Sequence, residues 1–154
     1  TLDAAGALGH RWLVVPWLAP AERAADADGW RRLADRLNAA GRRASAAGVR
    51  LAYHNHDFEL RALPDGALPL AVLLDAADPA LVDFELDVYW ATFAGEDPLA
   101  WLTRHPGRFA MLHLKDSEGP PAHRMTHVGG GRVDFARLLA ARARAGVRHV
   151  FVEH

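Results

Sequence analysis

Short apolar runs alternate with longer segments of mixed apolar and polar residues along the whole chain. The runs are typical of strands buried on both faces, whereas the mixed segments repeat apolar residues at helical spacing. The predicted strands are 13–17, 49–54, 81–87, 109–114 and 147–153. The predicted helices between them run from Asp26 or Asp28 to Gly48, and over 70–77, 97–104 and 134–145. This alternation predicts an α/β fold whose parallel strands are joined by right-handed crossovers.

Capping residues support the ends of the predicted helices. Asp97 and Asp134 stand at N-cap positions, and Gly48 and Gly146 stand where a glycine ends a helix. Two architectures accommodate such β/α units, a doubly wound sheet and part of a (β/α)8 barrel. A complete barrel takes about 250 residues, so the predicted strands would make up about five-eighths of one.

Composition excludes several classes of protein. With 51% hydrophobic and 24% charged residues, the chain is globular rather than disordered. A net charge of −1 gives no positive field for nucleic acid or a membrane surface. The absence of cysteine excludes disulfides and thiolate sites. No signal peptide or membrane span is evident, so we expect a cytoplasmic protein. Both ends interrupt the pattern, so we expect a fragment of a longer chain.

Residues that can bind a metal ion or move protons gather at the C-terminal ends of successive predicted strands. They are His54, His56, Asp87, His113 and Glu153. Because ligands bind at that edge of a parallel α/β sheet, we expect these side chains to form one site. Imidazoles and carboxylates suit Mn²⁺, Co²⁺, Zn²⁺ or Fe²⁺. Such an ion polarises a hydroxyl and a neighbouring carbonyl while a carboxylate transfers a proton. For each residue alone, a helix cap or a loop hydrogen bond is the competing interpretation.

Other polar and aromatic residues allow more than one interpretation. Tyr89 and Trp90 follow Asp87 and could line a sugar pocket or pack in the core, and Glu85 could lie deeper, paired with a cation. Residues 129–131 are all glycine but lack the Lys-Ser/Thr ending of a phosphate-binding loop, so they predict a flexible loop. For His127 the sequence favours neither a functional nor a solvated role. The remaining histidines are expected to be solvated, namely His10, His105, His123 and His149.

Four segments resemble the sugar phosphate isomerase/epimerase family, which has the xylose isomerase-like barrel. They occur in the family's order and spacing: Tyr53 to Glu59, Glu85 to Trp90, Leu112 to Asp116, and Val152 with Glu153. The resemblance covers the whole chain, from the family's fourth strand to its eighth. It implies that residues 1–154 form one partial (β/α)8 TIM barrel that lacks the first strands. Such an open barrel needs the rest of a longer chain or a partner, for example a homo-oligomer.

The resemblance implies one divalent ion, most often Mn²⁺, with Co²⁺, Zn²⁺, Fe²⁺ and Mg²⁺ as alternatives. Asp87, His113 and Glu153 match three of the family's four metal ligands, an Asp, a His and the second Glu. His54 stands where the family has its first Glu. In epimerases of this type the two glutamates are also the acid/base pair, so His54 departs from the pattern.

Catalytic and substrate-binding roles follow from the same resemblance. Glu153 is expected to be one acid/base group, and the other is His54, His56 or Glu59. Lys115 is expected to hold a substrate oxygen or the charge of an enediolate. The residues expected to contact the substrate are Glu59, Tyr89, Trp90 and Asp116.

The implied function is that of a metal-dependent isomerase or epimerase of a sugar, keto-sugar or sugar phosphate. It would abstract a proton beside a carbonyl and form an enediolate stabilised by the ion. One alternative is a lyase of the same family, similar to inosose dehydratases or keto-glycoside-cleaving enzymes, which expels a β-leaving group. A related DNA phosphodiesterase is disfavoured, because Trp90 replaces a further His. A non-catalytic fragment or binding domain is the last alternative. The expected partner is a small carbohydrate, not nucleic acid or a membrane.

Overall fold

The computed structural model describes residues 2–154, so Thr1, the first residue of the predicted domain, lies outside the described part. The described residues form two compact units. The first contains the chain up to His54 together with Arg61–Asp83, and the second contains Asn55–Leu60 and Phe84–His154. Each unit combines helices with parallel strands, which confirms the predicted α/β class.

The first unit places helices on a pair of parallel strands. Its helices are α1 (Leu2–Ala7), α2 (Ala27–Ala46) and α3 (Pro69–Ala76), and its strands are β1 (Trp12–Val15) and β2 (Arg50–His54). A 3-10 turn covers Pro20–Glu22. Helix α2 packs on α3 and β2 with a face of apolar side chains that includes Trp30, Leu33, Leu37 and Ala44. Strand β3 (Val82–Asp87) begins in this unit and continues in the second.

Asp83 ties the strands of the first unit together. Its carboxylate accepts hydrogen bonds from the indole of Trp12 at 2.7 Å and from the guanidinium of Arg50 at 2.6 and 2.8 Å. The hydrogen bond to Asp83 raises the pKa of Arg50. The predicted buried strand 13–17 is wrong in two respects. It ends at Val15 and is only half-buried, and Trp17 beyond it is 50% exposed. Pro16 has no N–H to continue the ladder.

The second unit contains a parallel sheet and a small hairpin. Its helices are α4 (Val88–Phe93), α5 (Pro98–Arg104) and α6 (Phe135–Ala145), and a 3-10 turn covers Phe58–Leu60. Its strands are the end of β3, β4 (Phe109–Leu114) and β7 (His149–Val152), with the hairpin formed by β5 (Asp116–Ser117) and β6 (Met125–Thr126). Strand β4 pairs in parallel with β3 and with β7.

The predicted helix ends in the second unit are confirmed. Asp97 and Asp134 accept hydrogen bonds from the first turns of α5 and α6, and Gly146 ends α6 with a φ of 84°. Helices α1 and α4 and the hairpin were not predicted. No helix within residues 2–154 is both long and apolar enough to cross a membrane.

Candidate active site

The second unit brings four of the predicted site residues together at the C-terminal ends of its parallel strands. Asp87 ends β3, His113 lies in β4, Lys115 follows β4 and Glu153 follows β7. Asp87 and His113 are opposite each other in the strand register. The Nδ1 atom of His113 lies 3.5 Å from Oδ2 of Asp87, and its Nε2 atom lies 3.1 Å from Oε2 of Glu153. One imidazole is therefore placed between two carboxylates.

Lys115 adds a positive charge to the same cluster. Its Nζ atom lies 3.3 Å from Oδ2 of Asp87 and 3.2 Å from Oε2 of Glu153. Lys115 and Asp87 are buried, whereas the side chain of Glu153 is 52% exposed. Glu153 is thus the member of the cluster that an incoming ligand reaches most easily.

Glu85 lies beside the cluster, two residues before Asp87 on the same face of β3. Its Oε1 atom lies 3.8 Å from Nδ1 of His113, and the residue is buried. Glu85 is therefore a third carboxylate within ion-pair distance of the imidazole of His113.

Asp87 is held by two further hydrogen bonds. Its backbone N–H donates to Oδ1 of Asn55 at 3.0 Å, and its own Oδ1 accepts from the backbone N–H of Trp90 at 2.9 Å, which caps α4. The second oxygen, Oδ2, is the one that faces His113 and Lys115. Asn55 was not among the predicted site residues, although its position directly after His54 was the available signal.

The predicted residues around β2 fall in both units. His54 is the buried last residue of β2 and belongs to the first unit. In the second unit, the backbone N–H of His56 donates to Oε2 of Glu59 at 2.8 Å, and Glu59 is fully buried. The half-buried ring of His56 stacks on Phe58 and lies 5.5 Å from the ring of Trp90. Glu59 therefore holds the turn that carries His56.

Tyr89 packs in the core and Trp90 is half-buried. The hydroxyl of Tyr89 donates to the backbone carbonyl of His123 at 2.7 Å. Burial raises the pKa of Tyr89, the charge of Asp87 raises it further, and the charge of Lys115 lowers it. The phenol thus lies within electrostatic range of the active-site cluster.

Asp116 is fully buried and its carboxylate binds backbone rather than side chains. Oδ1 accepts from the N–H groups of Ser117 and Val133, and Oδ2 accepts from those of Gly129 and Gly131, at 2.8 to 3.1 Å. Burial alone would raise the pKa of Asp116, but the four hydrogen bonds lower it. Asp116 therefore tethers the glycine loop, and the flexibility of that loop stays a prediction. A direct contact of Asp116 with substrate stays a prediction.

The remaining histidines differ in exposure. His10 and His127 are exposed, and the expectation for His10 is confirmed. Three others are half-buried and so less exposed than expected: His105, His123 and His149. His105, for example, stacks on Trp101 at 5.5 Å.

Comparisons with known proteins identify relatives of this chain and of its fold. A sugar phosphate isomerase/epimerase from Parabacteroides distasonis is 28% identical with a TM-score of 0.88, over 99% of this chain and 55% of that one. An inosose dehydratase from Bacillus anthracis is 34% identical over 87 residues, which are 56% of this chain and 28% of the dehydratase. An IolI protein with a bound zinc atom shares the fold at 17% identity and a TM-score of 0.77, over 99% of this chain and 56% of that one.

The chain thus spans about half the length of these solved relatives and matches a smaller part of the dehydratase. The sequence pattern of the xylose isomerase-like TIM barrel matches residues 1–153. The predicted fold class, part of a xylose isomerase-like (β/α)8 barrel, is confirmed. The chain belongs to the xylose isomerase-like TIM barrel family.

Proposed function

We propose that this chain carries the metal-binding and proton-transfer residues of an enzyme that isomerises or epimerises a sugar, keto-sugar or sugar phosphate. The observation that carries the proposal is the position of His113 between Asp87 and Glu153, at 3.5 and 3.1 Å. The similarity to a sugar phosphate isomerase/epimerase over 99% of the chain supports it. The proposed partner is a small carbohydrate and the proposed location is the cytoplasm.

The donor types in the cluster are those that bind divalent ions. An imidazole nitrogen and two carboxylate oxygens suit Mn²⁺, our first candidate, and also Co²⁺, Zn²⁺, Fe²⁺ and Mg²⁺. We propose Asp87, His113 and Glu153 as ligands. His54 is the proposed fourth, because it directly precedes Asn55, whose side chain binds the backbone of Asp87. A bound ion would supply Lewis-acid polarisation of a substrate hydroxyl and carbonyl. The zinc atom of the IolI protein supports a divalent ion here.

Each charged side chain then has a proposed role in binding the substrate or transferring its proton. Glu153, half-exposed between His113 and Lys115, takes the proton beside the carbonyl and returns it. The buried ammonium of Lys115 holds the substrate oxygen that becomes negatively charged. His56 is the proposed second acid/base group, because it is half-buried while Glu59 is fully buried against its backbone.

Dehydration is the second candidate. The inosose dehydratase match, 34% identity over 87 residues, favours it. Elimination of water needs one base and one acid, which Glu153 and His56 could supply without a symmetric pair of glutamates. Both reactions start with the same proton abstraction, so they share the proposed residues and differ in the product.

The first experiment is a calorimetric titration of the chelator-treated chain with Mn²⁺. We expect one ion per chain. We also expect Asp87→Asn to abolish binding, because the amide retains an oxygen for the cap of α4 but loses the charge. Asp97→Asn is the matched control, since Asp97 caps α5 with one hydrogen bond. A folded chain that binds no Mn²⁺, or an Asp87→Asn variant that binds it as well as the native chain, would contradict the proposal.

The second experiment follows keto-sugars and inososes in D₂O with the Mn²⁺-loaded chain. Deuterium gained without loss of atoms from the substrate indicates isomerisation or epimerisation, and loss of water indicates dehydration. If neither occurs over the whole panel while Mn²⁺ is bound, the site binds metal without the proposed chemistry.

A further inference from the structure

Lys115 contacts the same carboxylate oxygens that we propose as metal ligands. Its Nζ atom lies 3.3 Å from Oδ2 of Asp87 and 3.2 Å from Oε2 of Glu153. The imidazole of His113 approaches the same two oxygens, at 3.5 and 3.1 Å. An ion held by this imidazole and these oxygens would therefore be a direct neighbour of the ammonium.

The other oxygen of Asp87 is already engaged. Its Oδ1 atom accepts from the backbone N–H of Trp90 at 2.9 Å and caps α4, while its own backbone N–H donates to Asn55. The residue is fully buried, so its carboxylate cannot turn without leaving that N–H unpaired. Oδ2 must therefore be shared by the ammonium and any divalent ion, and two cations at one buried oxygen repel each other.

The ammonium of Lys115 is enclosed and needs these partners. Its side chain is 8% exposed, whereas that of Glu153 is 52% exposed. A buried charge is stable only when it is paired, and within the described part of the chain the ion pairs of Lys115 are those with Asp87 and Glu153. The ammonium therefore stabilises the two carboxylates, and they stabilise it.

The residue type also favours a charge that can change partners. The chain has 18 basic residues, and Lys115 is its one lysine, since all the others are arginines. An arginine holds carboxylates with a rigid planar fork, whereas a lysine carries a compact charge on a flexible stem. The use of lysine at this position, in a chain that otherwise uses arginine, indicates that the ammonium moves.

We propose that Lys115 is an internal counter-cation of the metal site. Its ammonium competes with a divalent ion for Oδ2 of Asp87 and Oε2 of Glu153, leaves these oxygens when the ion binds, and then holds a substrate oxygen. This inference rests on the proposed function and adds an order of binding to it, with the ion before the substrate.

The first test compares the Mn²⁺ affinities of variants by calorimetry. Lys115→Met removes the charge and keeps a side chain of similar length, so we expect it to bind Mn²⁺ about tenfold more tightly than the native chain. Lys115→Arg keeps the charge and is expected to bind no more tightly than the native chain. Arg137→Met is the matched control, because it removes an equal charge from an exposed ion pair with Asp97 at 3.8 Å. Its affinity should change by less than about twofold, since solvent and salt screen that charge.

The second test observes Lys115 in the native chain and does not depend on the folding of a variant. One lysine gives one side-chain ammonium signal in a ¹⁵N–¹H spectrum, and ion pairing in a buried place slows the exchange of its protons with water. Zn²⁺ replaces Mn²⁺ here because it is diamagnetic. We expect the exchange rate to rise by about tenfold at full Zn²⁺ occupancy, the effect of losing about one hydrogen bond, and to return when Zn²⁺ is removed by a chelator.

Three results would overturn the inference in a chain that binds the ion. In the first, Lys115→Met binds Mn²⁺ no more tightly than the native chain, so the ammonium only orients the carboxylates. In the second, Arg137→Met gains as much affinity as Lys115→Met, so the effect belongs to net charge. In the third, the ammonium signal and its exchange rate are the same with and without Zn²⁺. If neither the native chain nor Lys115→Met binds either ion, the proposed function itself fails, so the two failures are distinguishable.

Discussion

The Asp116→Asn substitution tests whether one buried carboxylate holds the loop after β4. Each carboxylate oxygen accepts from two backbone N–H groups, Oδ1 from Ser117 and Val133 and Oδ2 from Gly129 and Gly131. An asparagine retains one of these oxygens and replaces the other with an NH₂ group. In either orientation two N–H groups lose their acceptor and face a second donor.

The size of the effect follows from those two hydrogen bonds. A hydrogen bond to a charged group contributes about 1.5–3 kcal/mol. The loop can open and hydrate the two released N–H groups, so the contributions will not add fully. We expect a loss of about 3 kcal/mol in the local opening free energy, which corresponds to an increase of ~100-fold in amide exchange.

Native-state hydrogen exchange of Gly129, Gly131 and Val133 measures that increase. Asp134→Asn is the matched control, because Asp134 is exposed and accepts one bond, from the N–H of Arg137. Asn is as good an N-cap as Asp, so the control should change exchange little. An acceleration below about tenfold in Asp116→Asn would refute the tethering role, because one net hydrogen bond already gives that factor. An equal acceleration in the control would refute it too.

Two further predictions concern pH and packing. Because backbone hydrogen bonds lower the pKa of Asp116, the stabilisation is complete above the unfolded value of about 3.9 and is lost as the pH falls through the lower folded value. The protection factor of the Gly131 N–H should therefore fall below about pH 4 in the native chain and not in Asp116→Asn. In the first unit, a Cβ on Gly41 would lie 2.7 Å from the backbone oxygen of Leu81. Gly41→Ala should cost about 2 kcal/mol in urea unfolding, whereas Gly6→Ala, whose Cβ meets nothing closer than 4.0 Å, should not destabilise. Equal stability of both variants would refute the close approach.

Most strand ends and caps could be predicted from the sequence, because their signals are local. Strand β4 covers Phe109–Leu114 as predicted, since its apolar run is bounded by Gly107 and Lys115. Asp87, His113 and Glu153 were predicted to lie at the C-terminal ends of parallel strands, where ligands bind in such sheets, and they do lie there. That they converge within hydrogen-bonding range depends on strand register, which the apolar pattern does not encode.

The features that could not be predicted depend on partners distant in the sequence. The hydroxyl of Tyr89 binds a carbonyl 34 residues away, which changes His123 from a solvated residue to a half-buried one. The N–H groups that Asp116 binds in the glycine loop lie 13 to 17 residues away. Periodicity reports which face of an element is apolar, but not which loop returns to a buried carboxylate.

Asp87 and Asp116 show why the residue type alone does not assign a role. Both are fully buried aspartates at the ends of strands, and both belong to segments that resemble the family. Both oxygens of Asp116 accept hydrogen bonds from backbone N–H groups, so its charge stabilises the conformation of the glycine loop. One oxygen of Asp87 caps α4, while the other faces His113 and Lys115. Only Asp87 therefore directs carboxylate charge at the cluster, and it does so because its first oxygen and Asn55 fix its orientation.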